Sequence, residues 1–238
     1  MMKGWMLGNG PESDIILSSR IRLARNIADI PFPSGLDAER AKTVVDNVRN
    51  SLSSSESDLE FRDYIMQKLP SMERQSLVER HLISPELSKN YTKGAALISS
   101  DEIVSIMVNE EDHIRIQTIL PGLQIKKSWE MASEIDDLLE QSLEYAYSEN
   151  WGYLTSCPTN VGTGMRASVM VHLPALNITG NVNRILQAVT HIGLTIRGLY
   201  GEGTEIVGNI FQISNQITLG RAEEEIIDNL AAVTKQII

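Results

Sequence analysis

Arginine alternates with aliphatic residues in several short runs of this chain, and that pattern restricts the fold more than any other feature of the sequence. Successive side chains of a strand point to opposite faces. In Ser18-Ser19-Arg20-Ile21-Arg22-Leu23, Ile21 and Leu23 therefore take one face and Arg20 and Arg22 the other. His113 to Gln117 sets Ile114 and Ile116 against Arg115. Arg166 to Leu173 puts Ala167, Val169, Val171 and Leu173 opposite Arg166, Ser168, Met170 and His172, and Leu194 and Ile196 oppose Arg197. A chain of this kind needs a sheet with one packed face and one face able to carry guanidinium groups. One arginine opposite a core is ordinarily a solvated surface residue, and alternation alone does not make the five converge.

The remaining elements fit such a sheet. Residues 36–54 carry Val44, Val45, Val48 and Leu52 at helical spacing, and a second helix is expected after Pro70. Ala95 to Ile98, Ile103 to Val108 and His113 to Leu120 read as strands, closed by Pro121-Gly122. Ser128 is expected to cap a long helix reaching about Ser148, with Trp129, Ile135, Leu138, Leu139 and Leu143 as its apolar stripe. Ile210 to Thr218 alternates again. Helices are predicted at 181–191, followed by Gly193 as C-terminal cap, and at 221–237. Strands follow one another rather than alternating strictly with helices. The expectation is an α+β fold, a mostly antiparallel sheet with helices on one face and the arginine-lined site on the other. Residues 1–238 read as one domain. The last helix is still periodic at Ile237, which predicts further sequence after it in a longer protein.

The net charge of -10 argues against a nucleic-acid footprint. Yet arginines outnumber lysines thirteen to eight, and arginine is the side chain suited to bidentate phosphate contacts. Cys157 is the only cysteine, which excludes intramolecular disulfides and, with four scattered histidines, argues against a cysteine-built zinc site. No apolar run approaches the roughly 20 residues that span a bilayer, and Met1 to Gly10 lacks the zones of a signal peptide. A cytoplasmic location is predicted, with no membrane partner.

Three segments carry chemistry. Asn109-Glu110-Glu111-Asp112-His113 gathers three carboxylates before the strand of Arg115; such runs are usually solvated turns, otherwise cation sites. Cys157-Pro158-Thr159-Asn160-Val161-Gly162-Thr163-Gly164-Met165-Arg166-Ala167-Ser168 joins a glycine-rich loop to an arginine, a modest phosphate-site signal. Arg197-Gly198-Leu199-Tyr200-Gly201-Glu202-Gly203-Thr204-Glu205 is a second glycine-punctuated segment. Together with Ser18-Ser19-Arg20-Ile21-Arg22, and in this order, these motifs resemble the guanidino (phosphagen) kinase family from about residue 14 to 220. The sequence departs from the family pattern at Gly203, where a histidine is usual, at Gly208-Asn209 for Gly-Gly, and at Gln212, where the family has aspartate.

The resemblance implies a glutamine-synthetase-like catalytic fold and the use of ATP with Mg. It implies that Arg20, Arg22, Arg115, Arg166 and Arg197 cradle the phosphates, with Ser18, Ser19, Ile21, His81, Ala167, Ser168, Val169, Met170, Gly198, Leu199, Tyr200, Gly201 and Glu202 completing the nucleotide site. It gives Glu111 and Glu202 the acceptor guanidinium, with Glu111 as base, and places Cys157 beside them in a supporting role. Metabolite kinases of the family carry a helical domain ahead of the Ser-x-Arg-x-Arg motif; here that motif begins at Ser18, as in the bacterial protein-arginine kinases of the McsB type. The expectation is phosphorylation of arginine side chains in proteins during stress response or protein quality control. Expected partners are protein substrates, a zinc-binding activator adaptor, a heat-shock repressor and a Clp chaperone and protease. The alternatives are a kinase for free arginine or another small guanidine, and a silent ATP- or phosphoarginine-binding module.

Overall fold

The computed structural model describes residues 4–53, 59–179, 189–197 and 208–238. The described residues hold ten strands: β1 (Ile16–Arg25), β2 (Phe61–Ile65), β3 (Ala95–Ser99), β4 (Val104–Val108), β5 (Ile114–Pro121), β6 (Tyr147–Ser148), β7 (Gly152–Tyr153), β8 (Met165–His172), β9 (Leu194–Arg197) and β10 (Ile210–Asn215). Eight of them form one sheet in the order β2-β3-β4-β5-β1-β8-β10-β9, with β6 and β7 as a separate hairpin. Every pairing is antiparallel. The α+β expectation therefore holds.

Three helices cover one face: α1 (Ala38–Ser53), α4 (Ile125–Glu140) and α6 (Glu223–Ile237). Val44, Val45, Val48 and Leu52 of α1 pack with Ile21, Leu23, Ile114, Ile116, Ala167 and Val169 of the sheet in one continuous core. Each such side chain contributes roughly 1.5–3 kcal/mol by leaving water. Three shorter helices are α2 (Ser71–Glu79), α3 (Pro85–Lys89) and α5 (Pro174–Ile178).

Three expectations are corrected. Helices do not lie on one face alone: Leu77 of α2 and Leu87 of α3 bury with Ala96, Ile98 and Met107 in a second core on the arginine face. Strands β3 and β4 are fully buried because both their faces are covered, which leaves the arginines in the open part of the sheet. Ser128 does not cap a helix. Gly122 turns the chain at φ +65°, α4 starts at Ile125, and Ser128 is buried inside it with its Oγ 2.8 Å from Thr118 Oγ1. That helix stops at Glu140, eight residues before the expected end. Tyr145 forms a bridge with Ile27, and the Ala146 N–H donates to the Asn26 carbonyl, so pairing beside β1 overrides the helical spacing of Leu143.

Of the helix predicted at 181–191, residues 189–191 are helical and the rest lies outside the described residues; Gly193 follows at φ +78°. Among the described residues no helix is long and apolar enough to cross a membrane.

Candidate active site

Strand register brings the arginines together. Arg22 of β1 sits directly across from Arg166 of β8 and, on its other side, from Gln117 of β5. Arg115 pairs with Ala24, and Arg197 of β9 pairs with Gln212 of β10. Arg20, Arg22, Arg115 and Arg197 line one cleft of about 200 Å³ with His81, Gln117 and Gln212. A smaller hollow beside it is lined by Arg22, Arg115 and Arg166 with Asn160 and Gly164. All five arginines thus converge on one stretch of sheet.

Like charges opposed across a strand pair are destabilising, and here the compensation is incomplete. Burial first, then Arg115, lowers the Arg20 guanidinium to about 10. Burial and the neighbouring Arg20, Arg115 and Arg166 push Arg22 well below the usual arginine range, and only Glu110 opposes them. The Arg22 Nε is buried with no hydrogen-bond partner among the described residues. Arg20 Nη2 donates to a neutral acceptor, Gln212 Oε1, at 2.8 Å. A concentration of rigid cations with an orphaned buried donor fits a polyphosphate, which supplies the missing negative charge and acceptors.

His81 borders the cleft at φ +60° and is held from three sides. Gln117 Nε2 donates to its carbonyl at 2.6 Å, the Trp5 indole donates to the Arg80 carbonyl, and the Trp5 ring meets the imidazole edge-on at 5.4 Å. Burial and Arg20 lower His81 to about 4, so it is neutral at physiological pH.

The acidic turn is divided by role rather than solvated as a run. Glu110 bonds the Ser84 hydroxyl and pairs with Arg115 Nη1 at 2.7 Å, which fixes the arginine in place. Asp112 is fully buried; its Oδ1 accepts from Asn26 Nδ2 and from the Ser156 N–H, each at 2.7 Å. That clamp ties the turn to the segment of Cys157. His113 accepts the Ile27 N–H on Nδ1 at 3.1 Å and donates from Nε2 to the Pro31 carbonyl, the neutral form that its lowered pKa favours. Glu111 remains at the edge, 43% exposed, 3.1 Å from Arg115 Nη2. Burial raises its pKa despite the opposing Arg115.

Cys157 is half-buried, with Sγ 3.0 Å from Thr159 Oγ1. Beyond it the glycine loop closes against the sheet. A Cβ on Gly164, at φ +63°, would lie 2.6 Å from the Ala24 carbonyl, and one on Gly162, at φ +110°, would lie 2.4 Å from that of Thr218. Glycine is required at both by close approach as well as by conformation.

Some of the predicted nucleotide contacts face away. Ile21, Ala167 and Val169 are fully buried in the helix-side core, and the Ser19 hydroxyl holds the turn at Gly122 and Gln124. Their side chains cannot touch a ligand on the arginine face, because alternation turns them to the other side. Ser18, Ser168 and Met170 share the arginine face, close-packed. Gly198, Leu199, Tyr200, Gly201 and Glu202 lie outside the described residues. Sequence reasoning assigned Gln117, Gln212 and Glu110 no role in the nucleotide site. The two glutamines carry the same signal as the arginines, a polar residue alternating with buried neighbours; Glu110 is visible only as a member of the acidic run, and its pairing with Arg115 is not.

Residues 43–238 match the family model for the ATP:guanido phosphotransferase C-terminal catalytic domain. The chain belongs to the ATP:guanido phosphotransferase family. It is 59% identical over 95% of its length to a protein-arginine kinase of Caldanaerobacter subterraneus subsp. tengcongensis, and covers 68% of that relative. A protein-arginine kinase of Halothermothrix orenii is 55% identical over 98% of this chain, which covers 67% of it. The chain thus spans about two thirds of these relatives, and both alignments are long enough to take in most of the chain outside the family model. A solved lombricine kinase shares the fold at TM-score 0.83 and 26% identity, over 97% of this phosphotransferase and 67% of its own chain.

Proposed function

We propose that this chain phosphorylates arginine side chains of proteins, taking the phosphoryl group from ATP. The observation that carries this is the convergence of five arginines on one cleft and the hollow beside it, where Arg22 Nε is buried without a hydrogen-bond partner among the described residues, in a chain 59% and 55% identical to two protein-arginine kinases. The nucleotide's phosphates lie across Arg20, Arg22, Arg115, Arg166 and Arg197, bordered by His81. Phosphoryl transfer asks the protein for in-line positioning and positive charge around the transferring group, and rigid guanidinium groups supply both. Mg supplies further charge neutralisation when bound. Among the described residues no three His, Cys, Asp or Glu side chains group to hold a metal, so its ligands would come largely from the phosphates.

The acceptor is a guanidinium, cationic at neutral pH and a poor nucleophile. Glu111 orients it, a reading supported by the hydrogen bond its carboxylate accepts from another guanidinium, that of Arg115. Glu111 takes the proton as a guanidinium nitrogen bonds to phosphorus and ADP leaves. Its raised pKa suits a base. Glu202, outside the described residues, serves as the second carboxylate, and Cys157 assists from the segment that Asp112 ties to the acidic turn. Cytoplasmic location, stress-response partners and a Clp protease acting on marked proteins extend the proposal along the family resemblance.

Incubation with Mg-ATP and either an arginine-rich protein or free arginine, followed by mass spectrometry under non-acidic handling, tests the reading. Phosphoarginine on the protein is expected; phosphoarginine on free arginine alone would overturn it. Glu111→Gln is expected to lower the rate at least about 10²-fold with ATP affinity retained. Normal turnover by that variant would remove the assigned base.

A further inference from the structure

A groove of about 560 Å³ runs between the β6–β7 hairpin and the start of α6, and the mechanism above makes no use of it. Tyr147 and Trp151 of the hairpin line it, 58% and 57% exposed, although aromatic surface of this size is usually buried. Three carboxylates line it as well: Glu140 at the end of α4, and Glu223 and Glu224 in the first turn of α6. Arg221 is a lining cation, but it is ion-paired to Glu225. Acidic residues in a first helical turn also favour the helix dipole, and Glu223 lies 3.8 Å from Arg25. Glu140 and Glu224, both exposed, are left facing an aromatic wall.

The groove and the arginine cleft share a partition. Gly162 and Thr163 line the groove, whereas Asn160 and Gly164 line the hollow of Arg22 and Arg166. Sites of opposite sign therefore lie on the two sides of one loop. The hairpin also leads to the acceptor corner, for Ser156 is bonded to Asp112, the neighbour of Glu111. Tyr153 and Cys157 are four residues apart, so the chain between them spans at most about 14 Å, the length of about four extended residues.

We propose that this groove docks a basic side chain of the substrate polypeptide, within about four residues of the arginine that is phosphorylated. The inference rests on the protein-arginine kinase reading and adds a sequence preference to it. A cation over an aromatic ring with a carboxylate at the rim is the chemistry that selects lysine or arginine. The same hairpin shows the contact internally: the Arg25 guanidinium stacks on Tyr153, 3.5 Å from the ring centre.

Two peptides test this, each with one arginine, flanked at two to four positions on both sides by lysine in one and by glutamine in the other. The wild-type chain is expected to favour the lysine peptide about fivefold in kcat/KM. Trp151→Ala and Glu224→Gln are expected to lose that preference while KM for ATP and turnover of the glutamine peptide stay unchanged. Phosphorylation without a lysine preference, or a preference that survives both variants, would overturn the groove. Fluorescence anisotropy with an arginine-free lysine peptide separates the two readings. Binding lost in Trp151→Ala supports the groove even if no phosphoarginine forms, and absence of binding to the wild type counts against it.

Discussion

Arg22 and Arg25 stand three residues apart on β1, on opposite faces, and their surroundings differ in kind. Arg25 is 1% exposed and fully answered: its Nε and Nη2 reach both Asp136 oxygens at 2.6–3.1 Å, and its Nη1 donates to the Ala24 and Thr163 carbonyls. Burial pulls its pKa down, but Asp136, Tyr153 and Glu223 outweigh that and raise it. Arg22 has an arginine across the sheet, and its pKa falls. A guanidinium that the fold neutralises serves structure, pinning the glycine loop through Thr163. One that the fold leaves charged and short of acceptors is poised for an anion from outside.

The largest expected effect tests the structural side. Arg25→Met strands the buried Asp136 carboxylate and should cost about 3–5 kcal/mol of stability, since breaking a buried pair exposes the desolvation penalty of the survivor. Urea unfolding measures it. The companion Arg22→Met should leave stability within about 1 kcal/mol of wild type, because it removes a repelled charge rather than a paired one. Comparable losses in the two variants would erase the distinction between the faces.

A smaller effect tests the site. Pyrophosphate at about 100 times its dissociation constant should stabilise the wild type by about 2.7 kcal/mol, read as a rise in Tm, through binding to the folded state alone. Arg22→Met should require several-fold more pyrophosphate for the same rise. An unchanged titration would remove Arg22 from the anion site.

This contrast shows how far alternation carries a reading of the sequence. It put Arg20, Arg22, Arg115, Arg166 and Arg197 on one face because period two is a local property of the backbone. It could not place Arg22 across from Arg166, since register depends on which strands pair, nor see that α2 and α3 cover the β3–β4 part of the same face. Arg25 was passed over for a related reason. Its partner Asp136 lies 111 residues away on α4, within a helix whose start and end were both misjudged. Helical spacing at Leu143 continued past Glu140, and only the long-range bridge between Tyr145 and Ile27 ends the helix there.

The smallest effect concerns pH and His81, which burial first and then Arg20 hold neutral. Its folded pKa of about 4 lies below the ordinary histidine value of 6.5, so the unfolded chain binds more protons between those limits. The stability associated with neutral His81 is complete above pH 6.5 and is lost as pH falls toward 4, by an amount on the order of 2 kcal/mol. His113, also lowered by burial, adds a loss of the same sign, whereas the raised Glu111 and Glu223 act in the opposite direction. The test is therefore the difference between proteins. Asparagine tolerates the left-handed backbone that His81 adopts at φ +60°, so His81→Asn should keep the fold and flatten the decline between pH 6.5 and 4. Parallel stability curves for variant and wild type would show that the arginine cleft does not reach His81, and would confine the uncompensated charge to Arg22 and its neighbours.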